Sequence, residues 1–185
     1  KLIQRHPEWF YTYTAEGQAV NLKESYQTAW NFALAKAKEF HDEKTIKQLE
    51  KIEMPDAKNS LEKNMNNIEM ILNKADEFQQ KSFGTKDLTK FFFYALRHSP
   101  EYSTFDVLNT LKAIKPFTKA TTQEVLGIDL RKDVPSVKVP VNFVMGEYDV
   151  MLPGAQDYIN KIEAPSKKLT VIKKAGHSPS ADQPK

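Results

Sequence analysis

Cysteine is absent from the 185 residues, which excludes disulfides, thiolate nucleophiles and cysteine-ligated zinc. Glycine is scarce, with six in the whole chain, and none of them builds a phosphate-cradling loop. No apolar run approaches the roughly 18 residues that a membrane span needs. The opening Lys1-Leu2-Ile3-Gln4-Arg5 lacks the apolar core and cleavage site of a secretory signal. Nor is there a large excess of one charge. Lys and Arg number 27 against 24 Asp and Glu, and the lysines alternate with acids, as in Lys36-Ala37-Lys38-Glu39. That is the texture of solvated helix faces, not of a basic stripe tracking phosphates. No pair of histidines has zinc spacing and no acidic cluster has the order of a calcium loop. These absences predict a chain without metal or cofactor, with no nucleic-acid or membrane partner, and located in the cytoplasm.

What is present suffices for a core. Apolar residues make up 40% and aromatic residues 11%, and the length suits one domain or a domain with a large insertion. The chain has no initiator Met and ends at Pro184-Lys185 without a stop pattern, so both ends read as cuts through a longer protein. Three zones differ in period. Residues 1–18 hold an aromatic and β-branched run, Trp9-Phe10-Tyr11-Thr12-Tyr13-Thr14-Ala15, which predicts a strand closed by Glu16-Gly17. Residues 19–126 predict helices throughout. Asn21 and Glu24 have capping-box spacing, Asp42 can cap a second helix, and Ser60 to Gln80 carries a third stripe with Ile71, Ala75 and Phe78. A fourth helix would open at Thr85 or Thr89. A fifth, from about Ser103, carries Phe105, Leu108, Leu111 and Ile114 and stops before Pro116. Residues 127–185 change period again: a buried strand over Val139–Met145, a short helix over Gln156–Ile162 and a strand over Lys168–Ile172 form a βαβ unit with a parallel pair. The fold class is therefore α/β: a few parallel strands interrupted by an all-helical insertion.

Ligands of parallel sheets sit at the carboxyl ends of the strands, and two groups suited to catalysis fall there. Asp149 follows its strand through Gly146-Glu147-Tyr148, and His177 follows the next through Lys173-Lys174-Ala175-Gly176. An acid that orients a histidine and stabilises its cation is two-thirds of a Ser-His-Asp relay. Gly146 and Gly176 would permit the sharp turns that aim these side chains. The bland alternative is turn chemistry around Asp149 and a surface histidine.

Gly146-Glu147-Tyr148-Asp149 after an apolar strand, followed by Ala175-Gly176-His177-Ser178-Pro179 and Asp182-Gln183-Pro184, resembles the C-terminal part of an α/β-hydrolase, in the proline-iminopeptidase-like branch. The resemblance implies that residues 1–18 hold the sixth strand and the entrance to a lid, that 19–126 are the helical lid, and that 127–185 complete the core. It also implies that Asp149 is the triad acid and His177 the general base. The family's G-x-S-x-G nucleophile elbow is missing. Gly176-His177-Ser178-Pro179-Ser180 imitates its first half, but the residue after the serine must give a backbone N–H to the oxyanion hole, and Pro179 has none. The serine is therefore expected upstream of Lys1. Glu16, at the end of the first strand, is the alternative acid.

Trp30, Phe93 and Tyr94 are the candidates for an aromatic substrate wall. The resemblance further implies that lid carboxylates bind a substrate's amino terminus, though no motif selects one. The expected activity is serine hydrolysis of an ester, amide or N-terminal peptide bond in a small molecule or peptide. A dehalogenase or epoxide hydrolase with an aspartate nucleophile is the variant on the same scaffold. The alternative of another class is a non-enzymatic helical interaction module, with Met65 and Met70 in an adaptable groove. The expected partners are the missing N-terminal part of the same protein or, through the bare edge of the first strand, a second copy. Residues 1–185 alone are expected to be inactive.

Overall fold

The computed structural model describes residues 1–184, and the side chains of all of these except Leu88. A short helix α1 (Leu2–Arg5) and a 3-10 turn over Pro7–Trp9 precede β1 (Tyr13–Glu16). The strand is thus shorter than the aromatic run predicts. Pro7 fixes a helical φ at the start of the turn, Trp9 stacks on His6 with ring centroids 4.1 Å apart, and Tyr11 lies wholly in solvent. Only the last four residues pair, from Tyr13 opposite Val141 to Glu16 opposite Val144.

Helix α2 (Leu22–Glu39) opens on Asn21, whose side chain accepts from the Glu24 N–H. The expected capping box is half made, because the Glu24 carboxylate pairs with Arg131 instead of turning back on the cap. Asp42 opens α3 (Glu43–Leu49) by accepting from the backbone N–H and the hydroxyl of Thr45. Ser60 opens α4 (Leu61–Phe83), which ends where Gly84 takes a left-handed φ of 71°. Ala29, Ala33 and Ala37 of α2 meet Ile71, Ala75 and Phe78 of α4, with Leu49 beside them. Alanine on one side lets the larger residues of the other fill the interface without voids.

Asp87, not Thr85 or Thr89, caps α5 (Leu88–His98). Ser103 and Asp106 form a complete capping box for α6 (Thr104–Leu126), which runs through Pro116 where a stop was predicted. The proline removes one N–H on a solvent-exposed stretch, where the orphaned carbonyl stays open to water; downstream, buried Thr122 and Leu126 hold the helix end. The apolar stripe of this helix does not face the interior. Phe105, Leu108, Leu111 and Ile114 are all exposed.

After α7 (Leu130–Asp133), β2 (Val141–Gly146), α8 (Leu152–Lys161), β3 (Lys167–Ile172) and α9 (Pro179–Asp182) complete the chain. Among the described residues the three strands form one parallel sheet in the order β1-β2-β3. Tyr13, Ala15, Val141, Phe143, Met145 and Leu169 alternate along their strands onto one face, which packs with Ala155, Tyr158 and Ile159 of α8. The architecture is α/β, and all three strands deliver their carboxyl ends to the same rim. No described helix is long and apolar enough to cross a membrane.

Candidate active site

At that rim, β2 ends on Gly146 and the chain turns tightly to Asp149, whose N–H donates to the Gly146 carbonyl. Gly146 is required for proximity, not for a turn. A Cβ there would stand 1.9 Å from the carbonyl oxygen of Gly176 and 2.4 Å from that of Ala175. The two loops are thereby pressed together, with the Tyr148 N–H donating to the Ala175 carbonyl at 2.9 Å. Gly176 is likewise crowded, by Gln79 Oε1 and Thr85 Cγ2 at 3.2 Å. The sequence reading of both glycines as turn-formers is corrected to one of close approach; the left-handed residue in the second loop is Lys174, with φ 56°.

Asp149 is 4% exposed. One carboxylate oxygen accepts the Met151 N–H at 2.9 Å, which fixes the side chain. His177 Nδ1 then lies 3.3 and 3.2 Å from the two oxygens. Facing carboxylate oxygens, which accept, Nδ1 is the donor of this contact, and in the neutral ring Nε2 then carries the lone pair. Among the described residues Nε2 has no hydrogen-bond partner, and the His177 side chain is 39% exposed. The ring rests against Gly17, at whose φ of 60° a Cβ would come 2.7 Å from His177 Cε1. The hydrogen bond to Asp149 holds the imidazole pKa above the usual 6.5, burial opposes that rise, and the charges of Asp149 and Glu16 reinforce it.

The turn after His177 is held by two further carboxylates. Glu16 accepts the N–H and the hydroxyl of Ser180, each at 2.8 Å. Asp182 accepts the Gly176 N–H at 2.7 Å and the Lys86 N–H at 2.7 Å. Glu16 makes no hydrogen bond to the ring, so of the two acids weighed from sequence it is Asp149 that touches His177. No serine hydroxyl among the described residues is bonded to His177; Ser178 precedes buried Pro179 at the start of α9.

His177 forms part of the wall of a cavity of about 220 Å³, with Leu72, Ala75, Asp76 and Gln79 of α4 and Val150 and Met151 of the acid loop among its other lining residues. Asp76 accepts a hydrogen bond from Gln80 Nε2 at 2.7 Å. Burial raises its pKa above the usual carboxylate value against that bond, and the charges of Asp87 and Asp182 add to the rise. Sequence reasoning missed both Asp76 and Gln79. The signal was their spacing: Leu72, Ala75, Asp76 and Gln79 share one helical face, so an acid and an amide interrupt an otherwise apolar stripe.

The three predicted aromatic wall residues lie elsewhere. Trp30 donates its indole N–H to the Leu49 carbonyl at 2.8 Å and packs into the helical core. Phe93 meets Phe92 edge-on, and Tyr94 lies with Phe91, Lys86, Asp87 and Lys90 on a separate surface groove. Among the described residues no three His, Asp or Glu side chains converge to hold a metal ion.

No family model matches the sequence. The chain is similar to a protein of Bacillus subtilis (strain 168) named as a probable aminopeptidase, YbaC, with 23% identity over 187 residues. The similarity covers 99% of this chain and 57% of that protein, so the chain spans little more than half the length of the curated relative it matches.

Proposed function

We propose that this chain supplies the acid and the base of a Ser-His-Asp hydrolase with an α/β-hydrolase fold, acting on the N-terminal peptide bond of peptides. The observation that carries the reading is the buried Asp149 carboxylate set 3.2 Å from His177 Nδ1, with Nε2 left available. A helical interaction module would have no need of that contact, and would leave the two groups beyond hydrogen-bond reach. The order of the elements supports the fold assignment: the helical block follows β1, the acid follows β2 and the histidine follows β3. In this reading residues 1–18 and 127–185 belong to the catalytic core and residues 19–126 form the lid. The name of the similar Bacillus protein supports peptide over ester substrates.

The chemistry then runs through this chain's own atoms. His177 Nε2 takes the proton of a serine hydroxyl supplied from outside these residues, as that oxygen attacks the carbonyl carbon. The imidazolium so formed is stabilised by Asp149 and returns the proton to the departing amine. A substrate with a free amino terminus carries an ammonium group, and Asp76, partly desolvated on the cavity wall, is the complementary charge beside the reacting carbonyl.

The test uses the full-length protein with aminoacyl anilides and matched aryl esters. Asp149→Asn and His177→Ala should each lower kcat on the order of 10³- to 10⁴-fold. Asp76→Asn should raise KM for the cationic anilide and leave the uncharged ester unaffected. General-base action needs neutral imidazole, so the acid limb of the rate profile should lie above the usual histidine pKa of 6.5 and move down in Asp149→Asn. Turnover that survives His177→Ala would refute the assignment.

A further inference from the structure

Both loops of the Asp149–His177 pair are gripped by one short stretch of the helical block. Gln79, buried on α4, donates from Nε2 to the Tyr148 carbonyl at 2.9 Å, one residue before the acid. Phe83, one turn on, stacks on the Tyr148 ring with centroids 3.9 Å apart and planes 12° off parallel. Three residues later the chain reaches the other loop. Lys86 gives its N–H to Asp182 Oδ1 at 2.7 Å, while Oδ2 of the same carboxylate takes the Gly176 N–H at 2.7 Å. Lys86 Nζ also donates to the Ala181 carbonyl. Residues 79–86 therefore form a bracket with one arm on the acid loop and one on the histidine loop.

The two arms differ in kind. The Gln79 arm is backed by ring stacking, so it has redundancy. The Asp182 arm is centred on one carboxylate whose two oxygens satisfy two backbone donors from distant parts of the chain, with the Lys86 side chain adding a bond to the Ala181 carbonyl. The Gly176 N–H belongs to the Ala175–Gly176 peptide, one unit ahead of His177, so that bond holds the backbone leading into the imidazole. A neutral amide in the same place has one acceptor oxygen and presents an NH₂ to the second donor. With the donors placed on opposite oxygens, both bonds cannot be kept unless the loops shift.

We infer that Asp182 is a positioning residue, which ties the His177 loop to the root of α5 so that the helical block sets the approach of the imidazole to Asp149. It touches neither ring nor cavity and acts through the Gly176 peptide. The inference rests on the reading of His177 as the base, but its structural half can be measured without turnover.

In the full-length wild-type protein, the amide resonances of Gly176 and Lys86 should titrate together with a single carboxyl group. Independent titration would overturn the bridge itself, whatever the fate of any variant. In Asp182→Asn the His177 ring titration should move down toward that of an unpaired histidine, while the far-UV circular dichroism and the unfolding midpoint stay close to wild type and so report an intact fold. In the aminoacyl anilide assay kcat should fall about ten- to a hundredfold with KM within about twofold, as for a misplaced catalytic group. Lys86→Ala, which keeps the backbone N–H, should leave both the His177 midpoint and kcat unchanged. An unchanged His177 midpoint in folded Asp182→Asn would overturn the positioning role. A wild-type protein with no turnover would refute the hydrolase reading, yet the histidine titration would still decide this one.

Discussion

The helical block contains two regions of opposite fate. From α2 to the end of α4 the apolar residues close on each other, and Leu49, Ile71 and Phe78 are sealed from solvent. In α5 and most of α6 the large ones face outward, Leu96 excepted: Phe105 is 77% exposed, Phe117 68% and Tyr94 62%. The boundary falls within one helix, because α6 ends with Thr122 and Leu126 buried and with Gln123 donating to the Asn59 carbonyl at 3.1 Å. Local propensity cannot be the cause of the difference, since both regions form capped helices. What separates them is whether another element of this chain lies opposite the stripe. The packed region also carries the bracket on the acid and histidine loops, so stability and the site geometry share the same helix.

The sharpest way to break that comparison is to hollow out the packed region. Phe78 stacks on Phe40 with centroids 5.8 Å apart and precedes Gln79, whose side chain holds the acid loop. Phe78→Ala should cost about 3–5 kcal/mol, read as a lowered midpoint in denaturant unfolding. Because Gln79 would lose its backing, the same variant should also loosen the acid loop, seen as faster hydrogen exchange of the Tyr148 amide. A loss of less than about 1 kcal/mol would mean that the two regions are not distinguished by packing.

A smaller effect tests how the boundary is held. Asn64 is fully buried, accepting the Asp56 N–H at 3.1 Å and donating to the Asp56 carbonyl at 2.7 Å, which fastens the loop between α3 and α4. Asn64→Ala leaves two part-buried backbone groups of Asp56 without these partners, at about 1–3 kcal/mol. Its Nδ2 also lies 3.5 Å from Gln123 Oε1, so the last turns of α6 should lose hydrogen-exchange protection while α5 is unchanged.

These contrasts show what was legible in the sequence. The change of period between zones, the parallel βαβ unit, the caps at Asn21 and Asp42 and the helix starts near Ser60 and Ser103 could be read because each is local: a change of period, or a short side chain ahead of a stripe. The nearness of Asp149 and His177 followed from their shared place after adjacent parallel strands. The limits were non-local. Apolar periodicity in Phe105, Leu108, Leu111 and Ile114 states that a stripe exists and says nothing of what covers it. Trp30 was a candidate wall residue as an aromatic of the helical block, and its bond to a carbonyl 19 residues away could not be seen from its neighbours in sequence. Gly146 was assigned to a turn because glycine usually serves one, yet its need arises from a carbonyl 30 positions along the chain. Asp182 looked like part of a motif, and its partners at Gly176 and Lys86 emerge only once the loops are folded together.

The smallest expected effect sharpens the comparison from the exposed side. If Phe105 and Phe117 meet no partner within this chain, shortening them removes almost no buried area. Phe105→Ser and Phe117→Ser should each change stability by no more than about 0.5 kcal/mol, as at surface sites generally. The same changes should lower the binding of a hydrophobic fluorescent dye to residues 1–185, because the dye reads exposed apolar surface directly. A variant that keeps its stability and loses dye fluorescence would place the contrast in coverage alone. A destabilisation near that of Phe78→Ala would show that α5 and α6 are packed after all, and the distinction between the two regions would fall.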